Sequence, residues 1–74
     1  MKEDEFRALL ALEGKQLQVE QQYFRWNYDW RSSKLHSLAV VIDEDGNRIM
    51  SSQWVQRRYY AIQSLIKRYY RDRG

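Results

Sequence analysis

The sequence predicts an α+β fold: a three-stranded antiparallel sheet with an N-terminal and a C-terminal helix, ordered α-β-β-β-α, in one small domain covering residues 1–74. Three observations carry this expectation. Aromatic residues alternate with polar ones from Phe24 to Trp30, which is the two-residue period of a strand. Leu38 to Ile42 is a β-branched apolar block closed by Asp45-Gly46, a hairpin turn pair. Finally, apolar residues recur through the last third at alternating spacings of three and four, the signature of one helical face.

The first helix is expected over about residues 3–13, where Phe6, Leu9 and Leu10 stand at helical spacing with Ala8, Ala11 and Leu12 between them. Glu3, Asp4 and Glu5 fall in its first turn, where the positive end of the helix dipole favours them, and Gly14-Lys15 stands where a left-handed cap ends a helix. Strand one is expected over about 17–31. In it Phe24, Trp26, Tyr28 and Trp30 alternate with Arg25, Asn27, Asp29 and Arg31, so all four rings share a face. In so small a domain that face reads as core rather than as an open platform for stacking bases.

Ser32-Ser33-Lys34 reads as a linker to the next strand, about 37–43. After the turn Asp43-Glu44-Asp45-Gly46-Asn47 a short strand returns over about 47–50. The second helix is expected over about 52–72, with Ser51 or Ser52 as N-cap and Met50 stapled to Val55. Its apolar stripe is Val55, Tyr59, Ile62, Ile66 and Tyr69, with Leu65 beside them. The opposite stripe is Arg57, Tyr60, Ser64, Lys67 and Arg71, flanked by Arg58 and Arg68.

In element order, in length and in a His-bearing linker, Ser33-Lys34-Leu35-His36, between strands one and two, the chain resembles the double-stranded RNA-binding domain. That family carries a lysine cluster at the start of its second helix. The matching stretch here, Ser51-Ser52-Gln53-Trp54-Val55-Gln56, has no lysine.

Charge is distributed unevenly. Residues 1–22 carry net −2, residues 23–50 are neutral, and residues 51–74 carry net +5 of the chain's +3 total. The basic residues of the last segment are five arginines and one lysine, and the guanidinium fork suits bidentate contact with phosphate or carboxylate. The expected binding residues are therefore Arg57, Arg58, Tyr60, Lys67, Arg68, Tyr70, Arg71 and Arg73, with Arg25, Arg31, Lys34 and His36 as a secondary set. Nucleic acid fits this face, and an acidic protein surface satisfies the same charges. In the second case the chain would be an adaptor or inhibitor, of the compact kind that phages and mobile elements encode to occupy a host enzyme or effector complex. A homodimer, formed through the aromatic face or the apolar helix edges, is a further expectation.

Other chemistry finds little support. The chain has no cysteine, and its one histidine, His36, has no neighbouring ligand or nucleophile in sequence. Asp43, Glu44 and Asp45 lack the ligand period of a calcium loop and read as turn formers. The three glycines are isolated, so no phosphate loop is present. A non-enzymatic module without metal or cofactor is expected. The longest apolar run, Leu38 to Ile42, is far short of the roughly 20 residues that cross a bilayer. The acidic opening Met1-Lys2-Glu3-Asp4-Glu5 is unlike a secretory signal, so a cytoplasmic protein of a bacterial or virus-infected cell is expected.

Overall fold

The computed structural model describes residues 1–26 and 29–73, with side chains described for 1–24 and 34–72. The order of elements is α1 (Glu3–Leu12), β1 (Gln16–Trp26), β2 (Asp29–Ile42), β3 (Arg48–Ser51) and α2 (Arg58–Arg73). The strands form one antiparallel sheet in the order β1-β2-β3, so the expected α-β-β-β-α architecture is what the chain adopts. Among the described residues no helix is long and apolar enough to cross a membrane.

Helix α1 ends as its sequence predicts. Gly14 turns left-handed at φ 73° while Lys15 N–H donates to the Leu10 carbonyl at 2.8 Å and Gly14 N–H to that of Ala11 at 3.1 Å. The positive φ favours glycine here, and a Cβ would also displace the Glu44 side chain of the β2–β3 turn. That turn is built around Asp43, whose carboxylate accepts from the N–H groups of Asp45 and Asn47 at 3.0 and 2.9 Å. Gly46 follows at φ 84°. Of the three acids expected to form the turn, Asp43 does so through its carboxylate.

Both helices cover the same sheet face. Phe6 and Leu10 of α1, with Ala61, Ile62, Leu65, Ile66 and Tyr69 of α2, enclose Leu17, Ala39 and Val41 of the sheet; Leu9, Val19, Met50 and Val55 pack at the margin. The rings of Phe6 and Tyr69 meet edge-on at 5.4 Å between centroids, which joins the helices across the core. Tyr69 then donates its hydroxyl to Glu13, while Lys15 Nζ reaches the same hydroxyl at 3.3 Å. Burial, followed by the Glu13 contact, raises the Tyr69 pKa. The bond to Tyr69, followed by Glu13, raises that of Lys15.

Three boundaries differ from expectation. Strand one stops at Trp26, and Asp29 already pairs with Trp26 in β2, so the chain reverses inside the aromatic run. Trp30 consequently belongs to a different strand from Phe24, and no single strand carries all four rings. Ser32-Ser33-Lys34 and His36 belong to β2 rather than to a linker, and the ladder Phe24↔Lys34, Tyr23↔Leu35 and Gln22↔His36 pairs Lys34 to His36 with β1. The likeness to the RNA-binding domain therefore reduces to element order.

The third difference is the start of α2, at Arg58 instead of about 52. The serines expected to cap it are engaged elsewhere: Ser51 closes β3, and Ser52 bonds Ala39 through N–H to carbonyl at 2.8 Å and through Oγ from the Ala39 N–H at 2.9 Å. Val55 exchanges two backbone bonds with Ser37, at 2.7 and 3.1 Å, which holds residues 52–55 beside β2. The Arg57 carbonyl accepts the first helical bonds from Tyr60 and Ala61. Val55 thus reaches the core from extended chain, and Tyr59 of the expected apolar stripe is 66 % exposed.

Candidate functional site

The buried residues of α2 recur at Ala61, Ile62, Leu65, Ile66 and Tyr69, which directs Tyr60, Ser64, Lys67 and Arg71 away from the core. All four are exposed. Arg57, just before the helix, lays its guanidinium over the Tyr60 ring at 6.0 Å from the centroid, so a cation and an aromatic face are presented together at the helix start.

Farther along, α2 and the end of β3 border a groove of about 390 Å³ lined by Ser51, Ser52, Gln53, Val55, Ser64, Lys67, Arg68 and Arg71. Among the described residues three cations and three hydroxyls line it, and no carboxylate does. Arg68 is positioned there by donating to the Ser51 carbonyl at 3.1 Å. Lys67 and Arg71 have no acidic partner among the described residues. The Ser52 hydroxyl donates to the Gln53 carbonyl at 3.0 Å, which leaves the hydroxyls of Ser51 and Ser64 beside the cations as donors to a phosphate oxygen. The expectation named Lys67, Arg68 and Arg71 but missed Ser51, Ser52, Gln53 and Val55. Their part depends on the extended course of residues 52–55, for which the sequence offered a helix-cap signal instead.

Arg58 behaves differently. It forms a fork with Glu3, Nη1 to Oε1 at 2.6 Å and Nη2 to Oε2 at 3.0 Å, and Glu3 also accepts from Arg7 Nε at 2.9 Å. The bond from Arg58 is the main reason the Glu3 carboxyl is lowered to about 2, and Glu3 in turn raises Arg58. Arg58 is thus a clasp between α1 and α2, with its charge neutralised. Beside it a groove of about 520 Å³ runs along Lys2, Glu3, Glu5, Arg58, Tyr59 and Gln63, where acids and bases alternate and no single sign prevails.

The remaining expected residues are dispersed. Tyr70 donates its hydroxyl to Met1 Sδ at 3.3 Å on the opposite flank of α2 from the serine-lined groove. Lys34 is exposed on β2. His36 Nδ1 lies 3.0 Å from the Lys34 carbonyl, and its ring stands edge-on to Phe24 at 4.8 Å. Phe24 also meets Trp54 edge-on at 5.3 Å. This trio packs on the sheet face away from the helices, over which the register places Leu38, and there His36 serves packing. The rings of Trp26, Tyr28 and Trp30 and the side chains of Arg25, Arg31 and Arg73 lie outside the described residues.

The site thus consists of one exposed helix flank, Arg57, Tyr60, Ser64, Lys67 and Arg71, with Arg68 and the serines of the β3 end forming its wall. No known protein family, curated protein or solved structure matches the chain.

Proposed function

We propose that the chain is a small non-enzymatic binding module that takes up the phosphate backbone of nucleic acid along the outer flank of α2. The observation that carries this reading is the acid-free groove in which Lys67, Arg68 and Arg71 stand with Ser51, Ser52 and Ser64. Cations that lack carboxylate partners release condensed counterions when they meet phosphate, so affinity falls steeply as salt rises. Phosphate contacts carry no sequence information directly, and little base preference is expected. Tyr60, held beneath the Arg57 guanidinium, adds a ring at the start of the same flank for an unpaired base to stack upon.

The test is fluorescence anisotropy with labelled duplex and single-stranded oligonucleotides over a salt series. Lys67→Glu with Arg71→Glu should weaken binding at low salt by roughly a hundredfold and flatten the salt slope by about one unit per residue removed. Absence of binding by the unaltered chain at low salt, or indifference to the double reversal, would end the proposal. If an acidic protein rather than nucleic acid is the true partner, retention on nuclease-treated lysate proteins in place of oligonucleotides is the outcome that says so.

A further inference from the structure

Strand β2 is paired along both its sides, whereas β1 is paired along one. On β2, Ser37 and Ala39 direct their backbone groups toward the segment that follows β3, where Val55 and Ser52 meet them. Successive residues of an extended strand point these groups to opposite sides, so Leu38, Val40 and Ile42 direct theirs to β1. Through the register Gln16↔Ile42, Gln18↔Val40, Glu20↔Leu38 and Gln22↔His36, the even-numbered residues of β1 are engaged by β2. Leu17, Val19, Gln21 and Tyr23 therefore turn their N–H and C=O groups outward. Arg7 bears this out by approaching from outside, its Nη1 donating to the Leu17 carbonyl at 2.8 Å. Among the described residues nothing bonds the outward backbone groups of Val19, Gln21 or Tyr23. Residues 52–55 continue the line of β3 along β2, so β2 is paired on both sides, while among the described residues the outer side of β1 is open.

We propose that a second copy of the chain pairs on this edge, β1 against β1 in antiparallel, about a two-fold axis at Gln21, so that two three-stranded sheets become one. The axis position follows from what each alternative would bring together. Centred on Glu20, the pair would set two like carboxylates face to face and reach Leu17, whose carbonyl Arg7 already holds. Centred on Gln22, it would run into the register irregularity between Phe24 and Trp26.

Centred on Gln21, the three open residues meet three open residues. Val19 then lies opposite the other copy's Tyr23, a β-branched residue against an aromatic one that is otherwise 67 % exposed. Glu20 and Arg25 are the only charges on Gln16–Trp26 and they cancel, so the strand does not repel its twin. Because the axis stands perpendicular to the sheet, both copies carry their helices on the same side.

Sedimentation of the full chain over a concentration series tests this without any nucleic acid, so it stands or falls apart from the proposed function. A monomer–dimer equilibrium is expected. Gln21→Pro removes an outward N–H at an edge position where proline is tolerated, and should leave a monomer with unchanged far-UV circular dichroism. Gln21→Lys and Gln21→Glu each oppose like charges at the axis and should self-associate at least roughly tenfold more weakly, whereas their equimolar mixture should dimerise at low salt. A chain that sediments as monomer at every concentration, a dimer that survives Gln21→Pro in a folded protein, or a Lys/Glu mixture no more associated than its components would overturn the proposal. If Gln21→Pro fails to fold, the charge-swapped pair decides.

Discussion

At the first turn of α2 the Arg58 guanidinium is clasped by Glu3 from across the molecule, while in the later turns Lys67 and Arg71 stand exposed beside serines and form no ion pair among the described residues. The same helix thus holds one cation as an internal fastening and presents others to whatever approaches. A net charge of +5 over residues 51–74 does not distinguish the two uses. What separates them is where α1 places its acids, a long-range outcome that leaves one end of α2 neutralised and the other positive.

The largest effect expected is one that spares this contrast while loosening its foundation. Leu65 is fully buried at the middle of the helix, and Leu65→Ala should lower unfolding stability by about 3 kcal/mol in urea melts. Oligonucleotide affinity per folded molecule should stay unchanged. The sharpest comparison sets Lys67→Glu with Arg71→Glu, and its roughly hundredfold loss of affinity, against Arg58→Gln, which should change affinity by no more than about twofold. Equal losses from both would erase the distinction between fastening and presented cations.

Glu3→Gln addresses the clasp alone. The pair is partly solvent-screened, so roughly 1 kcal/mol of stability should be lost near neutral pH. Since folding lowers the Glu3 carboxyl from 4.5 to about 2, the stability it contributes is fully present above about 4.5 and disappears as pH falls toward 2. Melts of the variant and the unaltered chain should therefore converge over that window, and a constant gap would show that the carboxylate charge is not the cause. The smallest effect belongs to a surface site: Lys67→Ala should shift stability by less than about 0.5 kcal/mol, because Lys67 is exposed and has no acidic partner among the described residues.

How much of this the sequence disclosed divides along the range of the interactions. Local signals held where local contacts decide: the acids opening α1, the left-handed Gly14, the Asp43 turn, and the three-and-four spacing that turns Tyr60, Lys67 and Arg71 outward. Signals failed where a distant partner claimed the residue. Ser51 and Ser52 look like helix caps, but β2 engages Ser52, and the helix waits until Arg58. Ser32-Ser33-Lys34 looks like a linker because serine has no strong strand preference, yet it runs within β2, whose pairing with β1 reaches Lys34. The Glu3–Arg58 clasp spans 55 positions and leaves no periodic trace. The wall of serines in the groove was illegible for the same reason, since it exists only once residues 52–55 run extended.

That extended stretch is held by main-chain atoms of Ser52 and Val55, while the side chains of Gln53 and Gln56 project into solvent. The connector can therefore exchange its outward letters freely without moving the helix it leads into. Proline is the letter it cannot accept at 52 or 55, because each of those amide hydrogens is a rivet between the hairpin and the helix that follows.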